Sequence, residues 1–201
     1  MADADAEVPC AVVVFSGKRK SGKDFVTDQL QRRLGEDKCE LIRLSGPLKS
    51  QYAKEHGLDL ERLLDASEYK ETYRLDMIRW GEERRNQDPG YFCSLATRCP
   101  GAQKPVWVIT DARRKTDIQY FRGKFGTRAI SVRVEAQGEV RRKRGWVFTS
   151  GVDDAESECD LDEGVTWDVV IANNGEHTQL REQLDQLEHS IKERLRNVTL
   201  G

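Results

Sequence analysis

A short run near the start of the chain combines glycine and positive charge in a spacing that can hold phosphate groups. Residues 17–23 read Gly17-Lys18-Arg19-Lys20-Ser21-Gly22-Lys23, which fits the spacing G-x-x-x-x-G-K. The glycines let the backbone wrap closely around phosphate, and a helix beginning there offers N–H groups and the positive end of its dipole. A lysine in the last position reaches the oxygens between the β- and γ-phosphates of ATP. We therefore predict that residues 17–23, the phosphate loop, contact ATP.

Charged residues in and after this loop extend the prediction. Lys18, Arg19 and Lys20 add three positive charges beside Lys23. The alternative to ligand contact is a solvated basic turn, but like charges at a phosphate cradle repel one another unless anions compensate them. Arg19 is the best candidate for contact, because guanidinium grips phosphate in a bidentate fashion. Asp24 stands where a hydroxyl often ligates magnesium; as a hard oxygen donor it can hold Mg²⁺, or it can cap the helix, and both roles stay open.

A second charged cluster ends a central apolar run. Asp111 follows VWVIT, and Arg113 and Arg114 come directly after it. In a phosphate-loop fold an acid at this strand end can orient magnesium, and two arginines there face the ligand crevice. We predict roles in catalysis for Lys23, Arg19, Arg113 and Asp111, and a second anionic substrate for the arginine pair. The alternative for the pair is a solvated turn.

Further basic residues lie between these two clusters. Lys49 follows a strand end and a Gly-Pro turn, which makes it a candidate substrate contact. Lys70 and Arg74 are four residues apart and share one face of a predicted helix. Arg85 lies further along the same helix. Many such charges are ordinary surface residues, so these assignments are expectations to compare with the structure.

The elements that position these residues alternate between strand and helix. Short apolar runs predict strands at 11–15, 39–44, 105–110, 128–134 and 167–172. Helical spacing predicts helices after the phosphate loop, after Ser45-Gly46-Pro47, throughout 58–85, near 115–124 and over 176–196. This alternation indicates a single α/β domain over residues 1–201, with a doubly wound, five-stranded parallel sheet. The leucine and isoleucine stripe of the last helix indicates core packing.

The least regular segment, residues 136–165, is predicted to form a flexible lid. It opens with the basic run 141–144 and ends in acidic residues. Closing a basic lid over ATP excludes water and adds charge against the transferring phosphoryl group. Arg141 and Arg144 are therefore expected on the nucleotide side. Asn173 follows the last strand, where its amide either reads the adenine edge or belongs to a turn that caps the final helix.

Composition limits the classes of partner. The chain has 201 residues and a formal net charge of -2, so no general attraction to nucleic acid or anionic membrane is expected. No apolar run approaches the ~18 residues of a membrane span. The acidic start lacks the layout of a signal peptide. The five cysteines are odd in number and indicate free thiols in a reducing compartment. We expect a cytosolic protein with small-molecule ligands.

Several longer motifs resemble one family, the animal-type phosphomevalonate kinases. They are FSGKRKSGKDFV (15–26), LSGPLK (44–49), the 69–83 helix, DARR (111–114), RGWVF (144–148) and GVDDAESEC (151–159). The resemblance implies a nucleoside-monophosphate-kinase-like fold and a monomer. It also implies transfer of phosphate from ATP to 5-phosphomevalonate, giving ADP and 5-diphosphomevalonate on the mevalonate route to isoprenoids and sterols.

The resemblance also assigns residues by motif. The family's loop lysine and loop arginine fall on Lys23 and Arg19, and its Asp after the lysine falls on Asp24. Its substrate and catalytic arginines fall on Arg85, Arg113, Arg114 and Arg133; Arg144 matches its lid arginine, and Arg141 a further one. Some members end in the peroxisomal address Ser-Arg-Leu. Here Leu195 is followed by six more residues, so that address is not expected to be read.

Three other functions are less consistent with the sequence. A nucleoside monophosphate kinase shares the fold, but RGWVF and GVDDAESEC argue against it. A GTPase-type switch needs N-K-x-D for guanine, and the sequence has none. A non-catalytic anion-binding protein leaves the pairing of Lys23 with Asp111 unexplained.

Overall fold

A parallel sheet carries the fold. The computed structural model describes residues 9–65 and 68–199. The strands are β1 (Ala11–Gly17), β2 (Cys39–Ile42), β3 (Val106–Ile109), β4 (Ala129–Glu135) and β5 (Val169–Ala172). All pair in parallel, in the order β2-β3-β1-β4-β5. Their carboxyl ends therefore meet along one edge, with β1 in the centre.

Helices connect the strands and cover both faces of the sheet. In chain order they are α1 (Lys23–Leu34), α2 (Ser45–His56), α3 (Leu60–Leu64), α4 (Glu68–Gln87), α5 (Tyr91–Ala96), α6 (Lys115–Phe125), α7 (Gly138–Lys143), α8 (Glu156–Cys159) and α9 (His177–Thr199). Two 3-10 turns cover Pro100–Gln103 and Gly126–Arg128. None of the helices among the described residues is long and apolar enough to cross a membrane.

The core lies on both sides of β1, because alternate residues of a strand point to opposite faces. Val13 and Phe15 face α1 and α9, in a cluster that includes the predicted stripe Leu180, Leu184, Leu187 and Ile191. Val12 and Val14 face a second cluster with α5 and α6. Both faces are buried, which explains why β1 is a continuous apolar run.

The predicted sheet is confirmed, with strand ends shifted by a residue or two. The prediction of one helix throughout 58–85 was wrong. Asp59 has an extended backbone and caps α3, its carboxylate accepting a hydrogen bond from the Arg62 N–H at 3.3 Å. Asp65 is extended again after α3, and α4 begins at Glu68. The misleading signal was the helical spacing of aromatic residues from Tyr69 to Trp80. These residues belong to α4 alone and pack against a small separate cluster that includes Tyr52 and Met77.

Candidate active site

The phosphate loop joins the carboxyl end of β1 to the start of α1. A tight turn opens it, in which the Ser21 N–H donates to the Lys18 carbonyl at 3.0 Å. The backbone of Lys20 is left-handed, with φ of 61°, and that of Gly22 is also left-handed, with φ of 83°. Left-handed conformations cost a non-glycine residue free energy. The contacts around this loop must therefore hold Lys20 in place.

Both loop glycines are required by close approach of other groups. A Cβ on Gly17 would lie 2.7 Å from Ser21 Oγ and 2.8 Å from the Val134 carbonyl oxygen. A Cβ on Gly22 would lie 2.2 Å from Asn173 Nδ2. The spacing of glycines in the loop thus follows from packing against β4 and the end of β5.

Side chains from the far half of the chain support the loop by donating to its carbonyl groups. Arg141 Nε donates to the Arg19 carbonyl at 2.8 Å. Arg144 Nη1 and Asn173 Nδ2 both donate to the Ser21 carbonyl at 2.9 Å, and Arg144 Nη2 donates to the Asn173 carbonyl at 2.8 Å. Asn173 is buried, and its amide hydrogen-bonds the loop. These contacts bring Arg141, Arg144 and Asn173 to the loop, where sequence reasoning expected the nucleotide.

Lys23 and Asp24 form an ion pair at the first turn of α1. Lys23 Nζ lies 2.8 Å from Asp24 Oδ1, with 16% of the lysine side chain and 64% of the aspartate side chain exposed. Partial burial alone would raise the pKa of Asp24, but the hydrogen bond and charge of Lys23 lower it, and the net pKa lies below the ordinary value. Asp24 therefore stays ionised, as a cation ligand must.

Asp111, at the end of β3, fixes the start of α2. Its Oδ1 accepts from the Leu44 N–H at 2.6 Å, and its Oδ2 accepts from the Ser45 N–H at 3.2 Å. A carboxylate oxygen has two lone pairs. Each oxygen of Asp111 can therefore still accept a hydrogen bond from a water molecule.

The arginine pair after Asp111 is shaped by a buried acid that sequence reasoning missed. Asp117 Oδ2 accepts from the Arg113 N–H at 2.9 Å and from the Arg114 N–H at 3.0 Å, and Oδ1 accepts from the Cys93 thiol at 3.5 Å. Burial raises the pKa of Asp117, and the hydrogen bonds from the two backbone N–H groups oppose that shift in part. Asp117 lies three residues into α6, at the place where an acid returns to the N-cap, and that spacing is the signal that could have found it.

Arg133 enters the site from β4. It pairs in register with Ser16 of β1, and its Nη1 donates to Ser16 Oγ at 3.0 Å. Only 9% of its side chain is exposed, and its Nη2 lies 2.8 Å from Asp162. Lys18 also pairs with Asp162, and Arg19 pairs with the buried Asp153 at 2.9 Å. A hydrogen bond from Trp146, which outweighs the effect of burial, lowers the pKa of Asp153.

One cavity is lined by all four of the predicted catalytic residues. Residues lining it include Gly17, Arg19, Lys23, Asp111, Arg113 and Arg133. A second pocket on the other side of the loop is lined by Gly22, Phe25, Arg144, Asn173 and His177, among others. The first pocket is rich in basic side chains, and the second is less charged.

Some of the predicted substrate contacts lie outside this cavity. Arg85 of α4 is 3.3 Å from Glu82, and the same carboxylate is 2.8 Å from Arg114, so one acid links α4 to the arginine pair. Arg74 pairs with Glu71 on its own helix. Lys49 is half-buried in α2, after the turn that Asp111 fixes. Lys70 belongs to α4, but its side chain lies outside the described part of the chain.

The site joins a phosphate loop, a basic cavity and a 2-3-1-4-5 parallel sheet, which together define a P-loop kinase. At 14% identity, the fold matches the APS kinase CysC of Mycobacterium tuberculosis, solved with AMPPNP and APS, with a TM-score of 0.50 over 90% of this chain and 97% of that one. The phosphomevalonate kinase family model matches residues 15–127. Phosphomevalonate kinase from Drosophila melanogaster is 47% identical over 87% of this chain and 90% of its own. The chain belongs to the phosphomevalonate kinase family.

Proposed function

We propose that this protein transfers the γ-phosphoryl group of MgATP to 5-phosphomevalonate, giving ADP and 5-diphosphomevalonate. The product serves the mevalonate route to isoprenoids and sterols. Family membership supports the substrate, and the cavity that joins Lys23 to Arg113 and Arg133 supports the chemistry. The nucleophile is an oxygen of the acceptor phosphate. That phosphate is mostly ionised at pH 7, because its second pKa is about 6, so the reaction needs no general base.

The principal task of the site is to hold two anions together. At ~5 Å and an effective dielectric near 20, each pair of unit charges repels by ~3 kcal/mol. Arg113, Arg114, Arg133 and Arg85 supply fixed positive charge for the acceptor, together with Lys49, Lys70 and Arg74 as outer contacts. Lys23 stabilises the charge that grows on the β,γ-bridging oxygen as its bond to the γ-phosphorus breaks. Arg19 lies between the γ-phosphate of ATP and the acceptor phosphate, and it contacts the phosphoryl group during its transfer.

Donor binding uses the loop and the lid. The loop backbone and Lys18, Lys20 and Ser21 hold the phosphates, while Arg141 and Arg144 close over the nucleotide as a flexible lid, residues 136–165. Asn173, behind Gly22, fixes the wall against which the adenosine part lies.

The residues at the loop fit a magnesium ion. Asp24 offers an exposed, ionised carboxylate, and Asp111 keeps lone pairs for metal-bound water. Magnesium, when bound there, would neutralise part of the charge on the β- and γ-phosphates. We assign Asp24 to the ion itself and Asp111 to a water in its shell.

A monomer in the cytosol is the simplest setting for this enzyme. The five cysteines are free thiols, which fits a reducing compartment. Light scattering coupled to gel filtration checks the monomer, with a mass near 23.0 kDa as the expected result.

A substrate panel tests the proposed function. ADP release is measured by a coupled assay with 5-phosphomevalonate, mevalonate, shikimate and a set of nucleoside monophosphates. We expect turnover with 5-phosphomevalonate alone, and a diphosphate ester in the ³¹P spectrum of the product. Preferred turnover of a nucleoside monophosphate would contradict the assignment.

A further inference from the structure

An acidic segment of the lid lies against the basic cavity. Residues 153–162, the acidic strap, carry carboxylates at alternating positions from Glu156 to Asp162, with Asp153 at the start. Asp153 and the four alternating carboxylates each form an ion pair with a basic residue at or next to the site, whereas Asp154 accepts hydrogen bonds from the Ser150 hydroxyl and the Gly151 N–H. The pairs are Asp153 with Arg19, Glu156 with Arg114, Glu158 with Arg113, Asp160 with Lys115, and Asp162 with both Lys18 and Arg133.

Burial separates two of these ion pairs, those of Asp153 and Glu158, from ordinary surface ion pairs. The side chains of Asp153 and Glu158 are 6% and 9% exposed. Leu161 is buried in the core cluster beneath α6 and anchors the strap between these pairs. Gly151 and Gly164, on either side, have φ values of 78° and 74°, where side chains are rarely tolerated. The glycines form the turns on either side of the segment, and Leu161 holds it to the core.

The acids and the expected substrates compete for the same groups. Glu158 and Ser157 line the cavity together with Lys23, Arg19 and Arg113. Arg113 and Arg133 are the side chains to which the proposed function gives the acceptor phosphate. A carboxylate carries one negative charge and two acceptor oxygens, whereas a phosphate ester at pH 7 carries nearly two charges and three terminal oxygens. Phosphate is thus the stronger partner for these guanidinium groups.

We propose that the acidic strap is a specificity-determining segment: its carboxylates occupy the anion-binding side chains before substrate arrives, and only phosphorylated ligands displace them. The proposal rests on the proposed function for the identity of the acceptor. The strap offsets the desolvation of Arg114 and Arg133, whose side chains are 13% and 9% exposed. It also raises the threshold for binding, since a ligand must bring more charge than the carboxylate that it replaces. Unphosphorylated mevalonate has only its own carboxylate to offer and meets that threshold poorly.

Binding of tripolyphosphate tests the strap without acceptor or turnover. Calorimetric dissociation constants are compared for the wild type, Glu158→Gln and Asp162→Asn. We expect the constant to fall by about threefold or more in each strap variant, because one competing charge is gone. The matched control is Glu163→Gln, which removes the same charge from an exposed acid of the same run that has no ion pair among the described residues. Its constant should stay near the wild-type value.

Melting temperatures establish that each variant is folded. If one of the two strap variants does not fold, the other still tests the proposal. Unchanged or weaker tripolyphosphate binding in folded strap variants would overturn the proposal. An equal gain in Glu163→Gln would also overturn it, since the effect would then be general charge. The kcat/KM ratio of phosphomevalonate over mevalonate should fall in both strap variants. A wild type without turnover on phosphomevalonate would contradict the proposed function alone, and the binding comparison would still decide the role of the strap.

Discussion

Arg113, beside the phosphate loop, and Arg74, on α4, expose nearly the same share of their side chains, 53% and 51%. Their acidic partners differ. Arg113 binds Glu158, which is 9% exposed and lies 45 positions later in the chain. Arg74 binds Glu71, which is 58% exposed and lies three residues away on the same helix. Exposed pairs of the second kind contribute only a few tenths of a kcal/mol. Arg113 is therefore held by a buried acid that the fold brings to it, whereas Arg74 is held only by a neighbour on its own helix.

The largest expected effect is at Lys23, another cation of this site, whose side chain is only 16% exposed. Lys23→Met should lower kcat by raising the activation free energy of turnover by roughly 2–4 kcal/mol, because the lysine stabilises charge that grows at the β,γ-bridging oxygen in the transition state. Acceptor binding should weaken much less. Steady-state kinetics on the folded variant measures both, with Lys143→Met, an exposed lysine of α7, as control. Near-normal turnover in Lys23→Met would remove the lysine from the chemistry.

Arg144 extends the comparison to a cation whose partners are carbonyl groups. It hydrogen-bonds the Ser21 and Asn173 carbonyls. Arg144→Met should lower kcat by raising the activation free energy of turnover by about 1.5–3 kcal/mol, because the phosphate loop loses the hydrogen bonds of a charged donor that support it. The neighbouring Arg142→Met, at an exposed position of α7 just before Arg144, is the control. A structure with both ligands bound in which Arg144 points into solvent would contradict the lid role.

Arg113 and Arg74 can be compared directly. Arg113→Met should raise the KM for phosphomevalonate at least tenfold, or ~1.4 kcal/mol, and change the KM for ATP much less. Arg74→Met should raise the acceptor KM by a smaller factor, because its partner is local and exposed. Arg79→Met, exposed on the same helix, controls for loss of charge on α4. An Arg74 effect equal to that of Arg113 would break the comparison, and a raised KM for ATP alone would place Arg113 on the donor side.

Asp117 tests the support behind the arginine pair. Asp117→Ala leaves the Arg113 and Arg114 N–H groups without their acceptor, which should cost about 1–3 kcal/mol of unfolding free energy. The acceptor KM should rise as well, because the turn is no longer held. Asp117→Asn retains an acceptor oxygen and should restore the KM. Urea unfolding and steady-state kinetics measure the two effects; loss of stability with an unchanged KM in Asp117→Ala would leave Asp117 a purely structural residue.

The same acid gives the smallest expected effect, a pH dependence. The pKa of Asp117 is raised in the folded state, so the native protein binds this proton more tightly than the unfolded chain does. The wild type should therefore lose stability relative to Asp117→Asn as the pH rises above about 3.9, the ordinary pKa, until it passes the folded-state pKa. Unfolding free energies of both proteins across that range test the sign. A difference that is independent of pH would contradict it.

Local signals were enough for the sheet and for one half of the site. The apolar run of β1 and the glycine spacing after it are local, so they predict the phosphate loop directly. The single helix expected over 58–85 was wrong because the chain is extended at Asp65, between α3 and α4, and the aromatic spacing that begins at Tyr69 carries no information about that break.

The acidic strap depends on contacts between distant segments, which periodicity does not report. Glu158 reaches Arg113 across 45 positions, and Asp162 reaches Lys18 across 144. The basic and acidic ends of residues 136–165 are visible in the sequence. Their pairing with particular arginines depends on how the lid folds back over the sheet.

The support of the phosphate loop has a consequence for the newly made chain. The loop residues leave the ribosome before their supports do, because the groups that hold Ser21 and Arg19 in place come 122 to 152 positions later. Domains generally fold as units during synthesis. Because the loop needs β5 and Asn173 behind Gly22, a nascent chain should gain affinity for nucleotide only after Asn173 has emerged.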